Sequence, residues 1–480
     1  MTTGNPAPPT LVRREATEAE LSSAQEGLWF LHRAHPDSTA YHVPLVLPCR
    51  ERLDRTAFQR AVEDLVARHE ILRTHYPERD GGPVQVIDGP TTVAVRWTDL
   101  SGEPDAAERA RAQARAEAAR PFRLEEAPPL RIAVWRGLPE GDLLLVCLHH
   151  IAVDGWSLAL LLDELWTAYD NLRAGTPPGV DRPELQYADF AHWERRVHAT
   201  RAHQDRVAAR AEQLRGLPGV LRLGAPTPVP EDAGGGGEEF SFPLDRRLGD
   251  LVRQRARELR VTPYVLFLTV FQEVVRRWSG ERRFLLGTIL VNRPDPRLDR
   301  TAGFFVNTVP LRCETPPGRT VTEACRDTRA EFRELLRHAD VTLGQLASSL
   351  GASDRTGNPL VQVGFVMLNT PPRVEGRRQP VSSLALPTRA AALDLTVVLE
   401  DSGEDFTGTV GYATAPYDRY VAEGVRDTFL GLLEKALATP DAVFARLRPH
   451  HGEARPGVLT GPEIDLFADQ RRRVAPTTGV

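Results

Sequence analysis

Leu143-Leu-Leu-Val-Cys-Leu-His149-His150-Ile-Ala-Val-Asp154-Gly155-Trp156-Ser157 is the stretch that organises this chain. An apolar run of strand length ends in two adjacent histidines, and a short turn with an acid and a glycine follows. Leu158, Leu161, Leu162, Leu165, Trp166, Tyr169 and Leu172 then keep a three-and-four spacing, which predicts an amphipathic helix. Strand, His-His, turn, Asp-Gly, helix is an arrangement that holds an imidazole rigidly at the mouth of a cleft.

The chain has 480 residues, too many for one ordinary core, so two lobes are expected. Hydrophobic residues make up 41% and charged residues 26%, the balance of a soluble globular protein. A formal net charge of −5 offers no electrostatic case for nucleic acid or an anionic membrane. Cys49, Cys147, Cys313 and Cys325 are scattered, with no zinc-knuckle or redox-pair spacing. No run is long enough to span a membrane, and the start lacks the apolar core of a signal peptide. A cytoplasmic protein is the expectation.

Residues 1–20 read as a flexible lead-in. Ser22-Ser-Ala-Gln25 resembles a capping box opening a short helix. A helix is expected from about Asp54 to Arg68, another over 103–119, and strands around Leu130–Trp135 and Leu143–His149. Beyond Leu185 a helix is expected to continue to about Arg215. The Pro- and Gly-rich stretch from Gly224 to Glu238 reads as an exposed loop inside the second lobe. Helices are expected at about 245–259, 263–278, 320–337, 342–350 and 418–437, with strands at 284–291, 304–311, 360–368, 393–399 and 406–413. The expected division is an N-terminal lobe at 21–180, a C-terminal lobe at 181–450 and a polar tail at 451–480.

A neutral imidazole is the usual side chain for moving a proton near neutral pH. His150 therefore reads as a base or positioner facing a cleft. Gly155 would let a backbone N–H approach a developing oxyanion. A metal pair and an inert core histidine are the bland alternatives, and no third metal ligand stands nearby, so no metal is expected. Asp154 either orients His150, as in a hydrolase triad, or forms a structural ion pair with an arginine. No Gly-x-Ser-x-Gly elbow supplies a serine.

His149-His150-x-x-x-Asp154-Gly155 resembles the signature of condensation domains of nonribosomal peptide synthetases, a group that includes chloramphenicol acetyltransferase-like enzymes. The other motifs of that family follow in order. Leu21-Ser-Ser-Ala-Gln-Glu-Gly-Leu-Trp-Phe-Leu31 resembles the first and Arg68-His-Glu-Ile-Leu-Arg-Thr-His-Tyr76 the second. Tyr187-Ala-Asp-Phe-Ala-His-Trp193 resembles the fourth. Gly287-Thr-Ile-Leu-Val-Asn-Arg293 and Gly303-Phe-Phe-Val-Asn-Thr-Val-Pro-Leu-Arg312 resemble the fifth and sixth. Two departures stand out: Gly27 replaces a common arginine, and a late His-Gln-Asp-x-Pro-Phe motif reads His338-Ala-Asp-Val-Thr-Leu343.

The resemblance implies an α/β (α+β) fold of two chloramphenicol acetyltransferase-like lobes in a V, with a tunnel between them. It implies attack of an amine or alcohol on an acyl thioester, carried on the phosphopantetheine arm of a partner carrier protein. The chain itself would bind no cofactor. His150, with His149 and Gly155, would form the catalytic set. Asp154 and Arg293 would pair structurally, and Asn307, Trp156 and Ser157 would line the tunnel. A free-standing condensation enzyme is the reading, and an epimerase-like or non-catalytic carrier-docking relative is the alternative.

Overall fold

The computed structural model describes residues 9–15, 17–79, 81–89, 93–224, 236–352, 360–369 and 393–448. Two sheets organise it, one in each half of the chain. The first is four-stranded, in the order His42–Cys49, Gly141–His149, Leu130–Leu138, Arg96–Asp99. Its central strand pairs antiparallel with both neighbours, and His42 stands opposite His149 in the register. Asp142 to His149 are all buried, so this strand is covered on both faces, because successive side chains alternate between them. The helices Arg55–Arg68 and Gly155–Arg173 pack together, and Ala106–Ala118 lies on the sheet through Ala106, Ala110, Ala114 and Ala118. Alanine at every fourth position allows that close approach.

The second sheet has six strands, in the order Val306–Glu314, Arg283–Val291, Val363–Asn369, Leu395–Asp401, Phe406–Ala413, Gly237–Pro243. Its main helix, Pro263–Ser279, begins with the Thr262 cap and a proline at the first turn, and ends on Gly280 at φ 77°. Most of its side chains are buried, from Val265 through Trp278. The helices Arg246–Glu258, Val321–Leu336 and Arg419–Ala438 pack around it. The mixed fold, with its open sheets, matches the expected class.

Three expectations change. Residues 9–15 and 17–20 are anchored, not loose. Leu11 is buried, Arg13 pairs with Glu70 and Asp189, and Glu18–Glu20 adds a strand to Gly82–Ile87. Every one of those partners lies far away in sequence, which is why local composition misleads.

The helix expected to run to about Arg215 breaks into Tyr187–His198 and Arg201–Leu214, where the Thr200 hydroxyl accepts the His203 N–H. Nor do the two cores divide at 180. Leu185, Tyr187, Phe190 and Ala191 belong to the first core, and so do Leu298, Ala302 and Phe305 from the second half of the chain. That returning segment is what brings the halves together at the histidines. Residues 1–8, the tail at 451–480 and most of the expected loop (225–235) lie outside the described residues.

Candidate active site

His149 is the last residue of its strand, and a single 3-10 turn, His150–Ala152, follows it. The turn is fixed from every side. The His150 N–H donates to the Tyr41 carbonyl at 2.7 Å, and the Ile151 N–H donates to His149 Nδ1 at 3.1 Å. Gln25 Nε2 donates to the Ile151 carbonyl at 3.1 Å, while its Oε1 accepts the Ser22 N–H of the capping box. The first motif thus braces the histidine turn.

His150 is half-buried, and its ring meets the edge of Phe304 with centroids 5.1 Å apart. Its Nδ1 lies 2.6 Å from the Val153 carbonyl. A carbonyl oxygen only accepts, so Nδ1 carries the proton and Nε2 presents a bare lone pair. Among the described residues nothing is hydrogen-bonded to that nitrogen. Burial lowers the pKa of this imidazole, against an opposing pull from the Val153 carbonyl and the Asp154 charge. The ring is therefore uncharged at neutral pH.

His149 occupies a different environment. It is 2% exposed, among the rings of His32, Tyr41, His42 and Phe122. Burial depresses its pKa well below the ordinary value. Its Nδ1 is engaged by the turn backbone, so its place is beneath the site.

Asp154 does not reach the His150 ring nitrogens. Its Oδ1 accepts the Ser157 N–H at 2.7 Å and caps the helix Gly155–Arg173; its Oδ2 accepts the Phe305 N–H at 3.0 Å. Arg293 Nη2 stands 3.6 Å from Oδ1 and donates to Ser157 Oγ at 2.9 Å. Nη1 of the same arginine donates to the carbonyls of Leu298 and Thr301. The guanidinium also lies over the Phe305 ring, 3.9 Å from its centroid. Of the two sequence readings of Asp154, the ion pair is the one present.

Ser157 Oγ donates to the Gly303 carbonyl and accepts from the Gly303 N–H, so its polar capacity is spent on the junction. Trp156 is 52% exposed and donates to the Asp299 carbonyl. Gly155 is exposed, and a Cβ built there would meet nothing within 4 Å. Asn307 makes its hydrogen bonds away from the histidine turn. Its Nδ2 donates to the Ala339 and Val341 carbonyls at 2.8 and 3.0 Å, and it lines a crevice with Phe304, Glu194 and Thr342. Among the described residues no group of three His, Cys, Asp or Glu side chains is arranged to hold a metal ion, and no helix is long and apolar enough to cross a membrane.

Sequence reasoning assigned no role to Tyr187 or Gly303, and read Ser22 only as a helix cap, although all three stand inside quoted motifs. The Tyr187 hydroxyl donates to the Phe304 carbonyl at 2.6 Å and lies 2.7 Å from Ser22 Oγ. A Cβ on Gly303 would fall 1.9 Å from the Tyr187 ring, so only glycine lets this segment pass. The signal available was the glycine itself, next to two aromatic residues.

A family model described as a condensation domain matches residues 15–449. The phosphinothricin tripeptide synthetase PhsC of Streptomyces viridochromogenes is 34% identical over 89% of this chain and 40% of its own length. The chondramide synthase cmdD of Chondromyces crocatus is 31% identical over 72% of this chain and 9% of its own length. The chain therefore spans less than half the length of these curated relatives. Among solved structures, the condensation domain of the Monacolin K polyketide synthase MokA superposes with a TM-score of 0.77 at 22% identity, covering 90% of this chain and 99% of that one. The X-domain from teicoplanin biosynthesis, solved in complex with OxyB, gives 0.77 at 23% identity, covering 93% and 98%. A chain that carries the histidine turn in this setting, and matches the family model over almost its whole length, belongs to the condensation-domain family of nonribosomal peptide synthetases.

Proposed function

We propose that this chain joins an acyl group, carried as a thioester on the phosphopantetheine arm of a partner carrier protein, to an amine or alcohol acceptor. The observation that carries the reading is His150: Nδ1–H fixed on the Val153 carbonyl, a free Nε2, and a ring kept neutral by burial. The exposed start of the helix at Gly155 supports it, because a helix N-terminus favours developing negative charge.

In the step envisaged, the uncharged nucleophile adds to the thioester carbon. A C–N or C–O bond forms and the carbonyl oxygen takes up the negative charge. An α-amine has a reference pKa of about 8, so a depressed imidazole is a poor base toward the free ammonium ion. The same nitrogen becomes far more acidic once bonded to the thioester carbon. Nε2 takes that proton as the C–S bond breaks, and the proton then passes to the departing thiolate. General-base help of this kind is worth roughly 100- to 10,000-fold. Thioesters are already activated, so holding the two partners in register contributes as well.

The test is to incubate the protein with an acyl-carrier thioester and a panel of amines and alcohols, and to weigh the products. Mass equal to acyl group plus acceptor supports the proposal. Binding of the carrier without any transfer makes it a docking module, and stereoinversion of the acyl group without transfer makes it epimerase-like.

A further inference from the structure

Phe304 touches both the histidine turn and the space behind it. One side of its ring packs edge-on against His150, centroids 5.1 Å apart at 69°. The residue also walls a crevice bordered by Ala24, Glu194, Asn292, Asn307 and Thr342. Those residues come from widely separated parts of the chain, and the crevice sits where the two halves meet. Its lining is mixed: Phe190, Phe305 and Val306 stand beside Asn292, Asn307 and Glu194, and the Glu194 carboxylate, 5% exposed, accepts the Ser23 N–H at 2.7 Å.

The backbone under Phe304 cannot yield. Its carbonyl accepts the Tyr187 hydroxyl, the preceding Gly303 exchanges hydrogen bonds with Ser157, and the following N–H is held by Asp154. The side chain, by contrast, is only half-buried. A fixed backbone with a partly open ring makes the identity of that ring a steric setting.

We infer that Phe304 determines acceptor selectivity: its ring partitions the space beside His150 from the crevice and limits the bulk next to the nucleophilic atom. This rests on the acyl-transfer reading above. The nucleophile must bring its N–H or O–H within about 3 Å of Nε2. At that distance the carbon bearing the nucleophile comes up beside a ring that is itself against the imidazole. Acceptors unbranched at that carbon fit, and branched or aromatic ones meet the phenyl edge. Removing the ring joins the crevice to the reaction space and gives such groups somewhere to go.

The experiment compares Phe304→Ala, Phe304→Leu and Phe304→Trp with the unmodified chain. Each is given one acyl-carrier thioester and a series of amines differing only in bulk at the carbon bearing nitrogen. The expected result is that Phe304→Ala raises kcat/KM for the bulky relative to the smallest acceptor by at least about ten-fold. Phe304→Leu is intermediate and Phe304→Trp shifts the ratio the other way, mainly through the KM of the bulky acceptors. A bulky-to-small ratio unchanged across all variants that melt normally overturns the inference. Should Phe304→Ala fail to fold, the Leu and Trp variants decide it by the same ratio. Failure of the unmodified chain to transfer to any acceptor strikes instead at the acyl-transfer reading, so the two failures are distinct.

Discussion

The Nδ1–H of His150 is aimed at the carbonyl of Val153, three residues on and 2.6 Å away. This contact lies within a single turn and fixes the tautomer of the ring without a carboxylate. Asp154, one residue further, is left to serve the junction between the two halves of the chain.

Asp154→Ala is expected to act on folding. Among the described residues, the substitution removes the only carboxylate paired with Arg293, whose side chain is 5% exposed, and it strands two backbone N–H groups, on Ser157 and Phe305. Breaking a buried pair by removing one member costs about 3–5 kcal/mol. Chemical denaturation should show that loss, with Asp154→Asn milder because one oxygen remains. An inactive Asp154→Ala that unfolds at the unmodified denaturant midpoint contradicts the structural role.

Gly155→Ala should separate stability from turnover in the opposite sense. No atom lies within 4 Å of where the new methyl would sit, and the backbone there is not left-handed. The melting temperature should stay within a degree or two, since surface changes are usually within about 0.5 kcal/mol. If substrate passes over this point, kcat/KM falls while thermal melting does not change.

Gly303→Ala is expected to abolish soluble protein, because the new Cβ collides with the Tyr187 ring at 1.9 Å. Tyr187→Phe keeps the ring and loses only the hydroxyl bonds to the Phe304 carbonyl and Ser22. It should cost about 1–3 kcal/mol and leave the protein folded, as thermal denaturation will show.

Acid should destabilise the protein before its carboxylates titrate. His42 donates from Nδ1 to the Ala118 carbonyl, and its buried Nε2 has no partner. Burial lowers its pKa to about 4. The unfolded chain, with a histidine pKa near 6.5, binds the proton first, so stability is complete above about pH 6.5 and is lost as pH falls toward 4. Urea midpoints between pH 7 and 4.5 should show this decline, and His42→Phe should make it shallower, with the buried His149 and His198 supplying the rest. An equally steep decline in the variant rules His42 out as a source.

Local signals in the sequence carried far. The capping box at Ser22 and Gln25, the proline after Thr262, and the helix Arg419–Ala438 follow from neighbours three or four residues apart. The histidine turn was legible as strand, turn and helix for the same reason. What stayed hidden depends on partners far along the chain. Asp189 and Glu70 hold the segment around Arg13, Tyr187 excludes any side chain at 303, and Phe305 completes the first core from the second half. The break before Arg201 was missed because a capping threonine inside a polar helical stretch looks like any surface residue. Periodicity registers which face of an element is apolar, but not which distant element covers it.

The most direct measurement is single-turnover acyl transfer by His150→Ala, with product weighed at saturating carrier thioester and acceptor and thermal melting recorded alongside. The expected outcome is a fall of about 100-fold or more at an unchanged melting temperature, since general-base catalysis supplies that range and the half-buried ring carries little of the fold. Transfer at the unmodified rate by a folded His150→Ala protein would contradict the assignment of the free Nε2 to the chemistry.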